Sequence, residues 1–279
     1  MSHFSLAVIT DENTYYEDFL ERFCENTDCL SPEYLEFVDK TEEIEERYAN
    51  DVDCIELPDG KLIPIYDESA EPYFMKDENG YIQKDKVIEG CKIVTAPIAN
   101  FYETIDDLAA KYLCYEFNEE QKCWGYWINP NAKWDWYTEG GRWNVRLNFK
   151  DGTTGNSGFI DDIDFEAIKS ANYERAKETY EECTEINYED PAFSEELRNR
   201  FIAKYPTFED YFKTCTSCLT TYAVITPDGE WHEPGEMLYF GITTATREDE
   251  EKWDENYFKD FIEPYLNQNM TITIVDCHI

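Results

Sequence analysis

The side chains most able to do chemistry lie together in an aromatic, locally cationic stretch, residues 123–151. This stretch contains five of the seven tryptophans, and from Gln121 to Lys150 there are five lysines and arginines but only two acids. The whole chain, in contrast, carries a formal net charge of −38. Since an arginine fork binds carboxylate or phosphate and an indole face can stack a base, an anionic ligand such as a nucleotide would bind here. The candidate ligand-binding residues in the stretch are Lys133, Trp134, Asp135, Trp136, Arg142 and Trp143.

The same residues have a second interpretation, in which they are structural. Large aromatic residues at alternating positions, such as Trp134 and Trp136, are typical of a core strand, and Arg142 would then satisfy a buried carboxylate or backbone carbonyls. The alternation also predicts a half-buried strand from Arg142 to Phe149. The Gly140–Gly141 pair permits a bend whose backbone N–H groups could face an anion. Neither the P-loop nor the dinucleotide-binding glycine spacing is present, so both interpretations stay open.

The C-terminal residues Asp276, Cys277 and His278 form a second candidate site. An apolar strand is predicted over Thr271–Asp276 and should hold His278 in place, so His278 joins the candidate ligand-binding residues. If the strands at the two ends pair, His3 and His278 approach each other. No catalytic residue is assigned, because catalytic Cys/His pairs usually come from distant segments and 62 acids make any chosen carboxylate pair uninformative. The sequence therefore favours a protein that is not an enzyme.

Ten cysteines raise the question of metal ions and disulfides. Cys215 and Cys218 form one Cys-x-x-Cys pair, and Cys277 is a further weak candidate ligand, but one such pair without a second is a weak signal for zinc. Reduced, buried thiols are the expectation for a long chain that is not secreted. We therefore predict no metal site and no cofactor.

The acidic composition excludes several classes of function. The chain has 62 aspartates and glutamates against 24 lysines and arginines. Direct nucleic-acid binding through phosphate contacts, or binding to an anionic membrane surface, needs the opposite charge. The charge favours a basic protein partner or imitation of a phosphate array, with residues 11–50, 161–196 and 248–263 as the acidic contact faces. No apolar run approaches the about 20 residues that span a bilayer, and the N-terminus has no signal-peptide pattern, so we predict a cytoplasmic protein.

Strand and helix patterns follow one another irregularly along the chain. Strands are predicted at both ends, over residues 3–10 and 271–276, and Pro-Asp-Gly turns at 58–60 and 227–229 predict two hairpins. Helices are predicted over residues 104–113, 161–185, 194–203, 207–212 and 247–266. Without regular βαβ alternation, the pattern indicates an α+β fold in which helices flank a mainly antiparallel central sheet that includes both terminal strands. We predict a single domain, residues 1–279, with 67–103 as a protruding, irregular excursion.

Four sequence blocks together resemble a known group of proteins. They are MSHF at residues 1–4, CLSPEYLEF at 29–37, NPNAKWDWYTEGGRW at 129–143 and DCHI at 276–279. This pattern, which spans the chain, resembles a widespread, uncharacterised family of bacteriophage proteins. The chain departs from the family pattern at Thr138–Glu139, where a more apolar residue is expected. The resemblance implies a phage setting and assigns no role to any single residue. In size and setting, the chain is also similar to phage anti-defence proteins such as the inhibitors of the Gabija system.

The charge and the resemblance support one hypothesis, and the aromatic stretch supports another. In the first, this is a phage-encoded, homo-oligomeric acidic protein in the host cytosol. It binds and inhibits a host anti-phage defence complex, a nuclease or another nucleic-acid-handling enzyme, by protein–protein contact. In the second, the aromatic stretch holds a nucleotide, either to sequester an immune signal or to modify it. A structural phage protein with a merely acidic surface is the third possibility.

Overall fold

The computed structural model describes residues 2–143, 146–188, 191–215, 218–238 and 241–279. It contains both helices and strands, and the predicted α+β class is confirmed. The chain divides into two compact units, one formed by Met1–Tyr34 and Asn129–Ile279 and the other by Leu35–Ile128. The single domain over residues 1–279 stays a prediction.

The described elements cover most of the chain and are numbered here in chain order. The strands are β1 (His3–Thr10), β2 (Glu36–Asp39), β3 (Asp51–Glu56), β4 (Leu62–Pro64), β5 (Phe74–Lys76), β6 (Ile82–Val87), β7 (Lys92–Pro97), β8 (Glu116–Asn118), β9 (Cys123–Ile128), β10 (Trp136–Glu139), β11 (Leu147–Asn148), β12 (Thr154–Gly155), β13 (Ser157–Phe159), β14 (Ala223–Ile225), β15 (Trp231–His232), β16 (Met237–Leu238), β17 (Ile242–Thr243) and β18 (Thr271–His278). The α-helices are α1 (Tyr16–Leu20), α2 (Thr41–Tyr48), α3 (Ile105–Asp107), α4 (Phe165–Thr184), α5 (Pro191–Lys204), α6 (Phe208–Phe212) and α7 (Arg247–Phe261).

The central sheet of the first unit joins the two ends of the chain. Its strands lie in the order β10-β18-β1-β14-β15, and β13 also pairs with β18. β1 and β18 are antiparallel over eight residue pairs, from His3 opposite His278 to Thr10 opposite Thr271, whereas β1 and β14 are parallel. The other described pairings in this sheet are antiparallel. The predicted central sheet with both terminal strands is therefore confirmed.

The apolar sequences of β1 and β18 explain why these strands lie in the middle of the sheet. Successive side chains of a strand point to opposite faces, and here both faces are covered. On one face, Ile9 and Ile274 pack in a core with residues of α4 and α7. On the other face, Leu6 and Val275 pack in a second core that includes Trp134. Strands buried on both faces need nearly continuous apolar sequence, which HFSLAVIT and TITIVDCH provide.

The two long helices that cover one face of the sheet begin at defined caps. The Asp164 carboxylate accepts a hydrogen bond of 2.9 Å from an N–H in the first turn of α4. Thr246 and Asp249 form a reciprocal capping box at the start of α7. α7 ends at Phe261 and a 3-10 turn over Glu263–Tyr265 follows, because Pro264 has no N–H group to continue the helical hydrogen bonds. The helix is therefore shorter than the sequence predicts.

Both Pro-Asp-Gly turns form the predicted hairpins. β3 and β4 pair on either side of Gly60, and β14 and β15 pair on either side of Gly229. The two glycines have φ angles of +85° and +82°, a left-handed conformation that glycine adopts without steric cost. The turn chemistry read from the sequence is therefore confirmed at both positions.

The second unit contains three small sheets, β2-β9-β8, β4-β3-β7 and β5-β6. One apolar cluster lies around Ile44 and Leu108, and another lies around Ile55 and Phe74. The helix predicted over residues 104–113 forms as α3 followed by a π-helical turn at Leu108–Tyr112. This unit therefore has its own apolar clusters.

Residues 67–103 differ in detail from the predicted irregular excursion. β5, β6 and β7 lie in this range, and β7 pairs with β3 over six residue pairs. β6 and β7 are edge strands whose side chains are mostly not buried, so their sequences need no apolar alternation and give little strand signal. Among the helices of the described residues, none is long and apolar enough to cross a membrane.

Candidate functional site

Residues 133–143 lie along the C-terminal strand of the central sheet. β10 is antiparallel to β18, which places Trp136 opposite His278 and Thr138 opposite Asp276. On the other side of β18, β1 places His3 opposite His278. The expected approach of the two histidines is confirmed, with 5.0 Å between their ring centroids. The two ends of the chain and the centre of the aromatic stretch therefore meet at one end of the sheet.

Two aspartates hold these histidines. Asp135 Oδ1 lies 2.6 Å from His278 Nδ1, and Asp276 Oδ1 lies 2.9 Å from His3 Nδ1. The Trp136 ring stacks on His278, with 5.4 Å between ring centroids and 18° between the planes. His278 is buried, and its Nε2 has no hydrogen-bond partner among the described residues. His278 thus contacts both of the other candidate residues, Asp135 and Trp136. None of the three lines a large cavity of this unit.

The Gly140–Gly141 bend makes room for a carboxylate of the protein itself. Gly141 has a φ of +49°, and a Cβ at this position would lie 2.4 Å from side-chain atoms of Asp276. Asp276 Oδ2 accepts a hydrogen bond of 2.9 Å from the Arg142 N–H, and the Gly140 N–H donates to the Ile274 carbonyl at 2.8 Å. These N–H groups therefore bind internal acceptors, where the sequence suggested an external anion.

The bend also changes the local structure that the alternation predicts. Gly141–Trp143 form a 3-10 turn, so the strand predicted over Arg142–Phe149 does not begin at Arg142. The described strand of this range is β11, and residues 144–145 lie outside the described residues. The turn arises because consecutive left-handed glycines reverse the chain and Asp276 holds the next N–H group.

Contacts of Lys133 and Trp134 favour the structural interpretation for these two candidates. Lys133 Nζ lies 2.7 Å from Glu233 Oε1, and both side chains are largely shielded from solvent. Trp134 is 6% exposed in the core, and its ring packs edge-on against Tyr137 with 5.0 Å between centroids. The Lys133 charge is therefore already neutralised, and the Trp134 ring has little surface to offer a ligand.

Arg142 and Trp143 belong to a different environment, an open cavity of about 540 Å³. The turn at residues 141–143, β11, α4 and α6 contribute to its walls. No aspartate or glutamate is among the described lining residues. We call it the arginine cavity. Its polar and aromatic lining residues are Arg142, Trp143, Arg146, Asn148, Asn172, Arg175, Thr179, Tyr211 and Cys215.

Two of the three guanidinium groups of the arginine cavity have no carboxylate partner among the described residues. Within the part of the chain that the structure describes, neither Arg142 nor Arg175 forms an ion pair with a carboxylate. The Arg146 guanidinium donates a hydrogen bond to the backbone carbonyl of Thr220. Burial lowers the pKa of Arg146 and the charge of Arg175 lowers it further, whereas Tyr257 and the Asp254 carboxylate act in the opposite direction. Because arginine stays protonated at neutral pH, the cavity holds three positive charges.

The sequence-based candidates omit Arg146 and Arg175, although a signal for Arg175 exists. Ile168, Asn172, Arg175 and Thr179 follow one another along α4 at spacings of four, three and four residues, which places them on one helical face. Arg175 is the arginine on this face, which also carries Ile168, Asn172 and Thr179. For Arg146 no comparable pattern exists, because its position depends on the turn before it.

The three weak metal candidates are not brought together. Cys218 belongs to the apolar core on one face of the central sheet, and Cys277 belongs to the core on the other face. Cys215 is half-buried and contacts the Tyr211 carbonyl at 3.7 Å. Among the described residues, no group of three or more histidine, cysteine or acidic side chains could hold a metal ion. Burial raises the pKa of the Cys218 and Cys277 thiols, which favours the neutral form.

No protein family model, curated protein or solved structure matches this chain.

Proposed function

We propose that the protein binds a phosphorylated small molecule of the nucleotide class in the arginine cavity. The observation that carries this proposal is the meeting of Arg142, Arg146 and Arg175 in a cavity without a described carboxylate, in a chain of net charge −38. Guanidinium groups match the geometry of phosphate oxygens and bind them through paired, charge-assisted hydrogen bonds. A ligand with three phosphate charges, such as a nucleoside diphosphate, would neutralise all three.

The cost of gathering three like charges supports this proposal. Arg146 is shielded from solvent and the charge of Arg175 acts on it, so an anion that binds between them relieves that repulsion. The acidic surface elsewhere does not cancel the attraction. Exposed charges further away than the Debye length, about 8 Å at physiological ionic strength, are largely screened. The local charge of the cavity therefore decides which ions bind in it.

The remaining lining residues fit the other parts of a nucleotide. The rings of Trp143 and Tyr211 can pack against a base or sugar, and Asn148, Asn172 and Thr179 supply neutral hydrogen-bonding groups. A volume of about 540 Å³ lies within the range of small-molecule sites. The described lining residues include no carboxylate or imidazole that could act as a general base. This composition supports capture of the ligand, and the phage resemblance supports sequestration of a host nucleotide signal.

Isothermal titration calorimetry with inorganic diphosphate, ADP and GDP tests this function. Arg175→Ala should weaken diphosphate binding about tenfold or more, because it removes a charge-assisted hydrogen bond. Lys177→Ala is the matched control, since Lys177 is an exposed cation on the same helix that does not line the cavity. Absence of binding by all three compounds, or equal weakening by both variants, would refute the proposal.

A second candidate function rests on the exposed acidic surface. α4 and α7 carry solvent-exposed carboxylates, including those of Glu174, Glu178, Glu181, Glu248 and Glu255. We propose that these faces bind a basic surface of a host anti-phage defence complex, such as a nuclease, and inhibit it by protein–protein contact. Electrostatic complementarity of this kind speeds association and depends on salt.

Capture from host lysate at low and high salt tests the second candidate. Recovery of a nucleic-acid-handling defence protein at low salt, lost when Glu174, Glu178 and Glu181 are changed to lysine, supports it. Recovery of no such protein, together with unchanged phage plating on defended hosts, counts against it. Homo-oligomerisation also stays a proposal, and light scattering of the purified chain measures it.

A further inference from the structure

A second cavity lies beside the arginine cavity. It measures about 940 Å³ and shares Trp143, Arg146 and Cys215 with the arginine cavity. Because these residues line both, the two cavities are adjacent. Aromatic rings dominate the apolar part of its walls, so we call it the aromatic cavity. The rings are Trp143, Tyr205, Phe212, Tyr222 and Trp253.

Two of these rings are fixed in place by hydrogen bonds at their polar ends. Trp253 Nε1 donates to the Thr221 carbonyl at 2.8 Å. The Tyr222 hydroxyl donates to the Gly235 carbonyl. The polar groups of these side chains therefore point to the protein, while the rings help to line the cavity. Such a surface suits a planar base, since base stacking on aromatic rings needs no special sequence or substituent.

The aromatic cavity differs from the arginine cavity in charge, because α7 contributes carboxylates to it. Two of these have partners: Glu251 lies 2.8 Å from Arg247, and Asp254 accepts a hydrogen bond of 2.6 Å from Thr220. The other two, Glu250 and Glu255, have neither an ion pair nor a side-chain hydrogen bond within the described chain. Glu250 and Tyr222 line this cavity together, and burial raises the pKa of Tyr222, with the charges of Glu233 and Glu250 adding to the rise.

We propose that the two cavities together bind a guanine nucleotide, a deepening that rests on the proposed function. The phosphates lie against Arg142, Arg146 and Arg175, and the base lies in the aromatic cavity. There the Glu250 carboxylate accepts hydrogen bonds from N1–H and the 2-amino group of guanine. The ribose lies at the boundary between the two cavities, beside Trp143 and Arg146.

The choice of guanine follows from the donors that each base offers to a carboxylate. Guanine presents two adjacent N–H donors, which match the two oxygens of an ionised carboxyl group. Adenine and cytosine present an amino group beside a ring nitrogen that only accepts, and uracil presents one N–H between two carbonyls. In those three cases a carboxylate oxygen faces a lone pair, which costs affinity.

A single nucleotide also fits the charges better than a longer strand. The arginine cavity supplies the three cations, whereas the outer faces of α4 and α7 carry exposed glutamates. Further phosphates of an oligonucleotide would lie among those carboxylates and be repelled. The size of the ligand is therefore limited by the charge pattern around the cavities.

Isothermal titration calorimetry on the full chain tests the inference with GDP, ADP and inorganic diphosphate. We expect GDP to bind about tenfold more tightly than ADP, the discrimination that a paired contact to a base edge provides. Glu250→Gln should reduce this preference to about twofold or less and leave diphosphate binding unchanged. Glu248→Gln, on the same helix but outside both cavities, should keep the preference.

Each other outcome contradicts the inference in a distinguishable way. Binding of diphosphate with equal affinity for GDP and ADP would overturn the guanine assignment and leave the proposed function standing. A preference for GDP that survives Glu250→Gln would overturn the role of Glu250. No binding of diphosphate or of either nucleotide would overturn both the inference and the proposed function. Far-UV circular dichroism of each variant verifies that it is folded.

Discussion

Replacing Gly141 with alanine tests how the chain shapes the turn before the arginine cavity. Gly141 has a φ of +49°, and an alanine Cβ would lie 2.4 Å from the Cβ and Oδ2 atoms of Asp276. An L-residue in the left-handed region costs roughly 1–2 kcal/mol. The overlap also pushes the Asp276 carboxylate away from the Arg142 N–H, and loss of a hydrogen bond to a charged group costs about 1.5–3 kcal/mol. Gly141→Ala should therefore lower the free energy of unfolding by about 2.5–5 kcal/mol.

Gly152→Ala is the matched control for this substitution. Gly152 has a φ of +84°, but a Cβ there would have no heavy atom within 4 Å, so only the backbone cost of roughly 1–2 kcal/mol applies. Urea titration followed by tryptophan fluorescence measures both free energies of unfolding. If the two variants lose the same stability within about 0.5 kcal/mol, the contact between Gly141 and Asp276 contributes nothing and the reasoning is refuted.

Three further tests, which use four substitutions, check the other assignments. Trp134 is 6% exposed and Trp136 is 44% exposed, so Trp134→Ala should cost about 3–5 kcal/mol in urea titration and Trp136→Ala clearly less. Burial raises the pKa of Tyr257 to about 12. Because the unfolded tyrosine ionises near pH 10, its stabilising contribution is complete below about pH 10 and is lost as the pH rises towards 12. Tyr257→Phe should reduce this alkaline loss of stability. Lys133→Ala should leave diphosphate affinity unchanged within about twofold in calorimetry, because Lys133 already pairs with Glu233 at 2.7 Å.

In each of these three tests, the opposite result would contradict one assignment. Equal destabilisation by the two tryptophan variants would place both indoles in similar surroundings. An unchanged fall in stability above pH 10 in Tyr257→Phe would assign that fall to other groups. Tenfold weaker diphosphate binding in Lys133→Ala would mean that Lys133 contributes to the ligand site.

Local sequence chemistry predicted those parts of the fold that depend on neighbouring residues. The two Pro-Asp-Gly turns were predictable because proline and glycine restrict the backbone within the turn itself. The apolar runs at the two ends were predictable as buried strands, and their pairing placed His3 beside His278. β6 and β7 were not predictable in this way, because exposed edge strands carry no apolar alternation.

The aromatic stretch shows why residue type alone did not identify the site. The sequence grouped Lys133, Trp134, Arg142 and Trp143 as one cluster, but the structure separates them. Lys133 binds Glu233, and Trp134 lies in the core. Arg142 and Trp143 line the arginine cavity because the bend before them reverses the chain. Residues that are close in sequence can thus lie in different environments when a turn separates them.

The sequence by itself determined the acidic charge, the strand at each end, the hairpin turns and the presence of a cationic island. Only the tertiary structure brought Arg142 and Arg146 together with Arg175, which lies in α4, well after them in the sequence. It also placed Asp276 of β18 against the Gly140–Gly141 bend, where the sequence allowed an external anion as one of two interpretations. The physical reason is that turn and strand preferences act over a few residues. The partner of a charged group, however, is decided by which distant segments pack beside it.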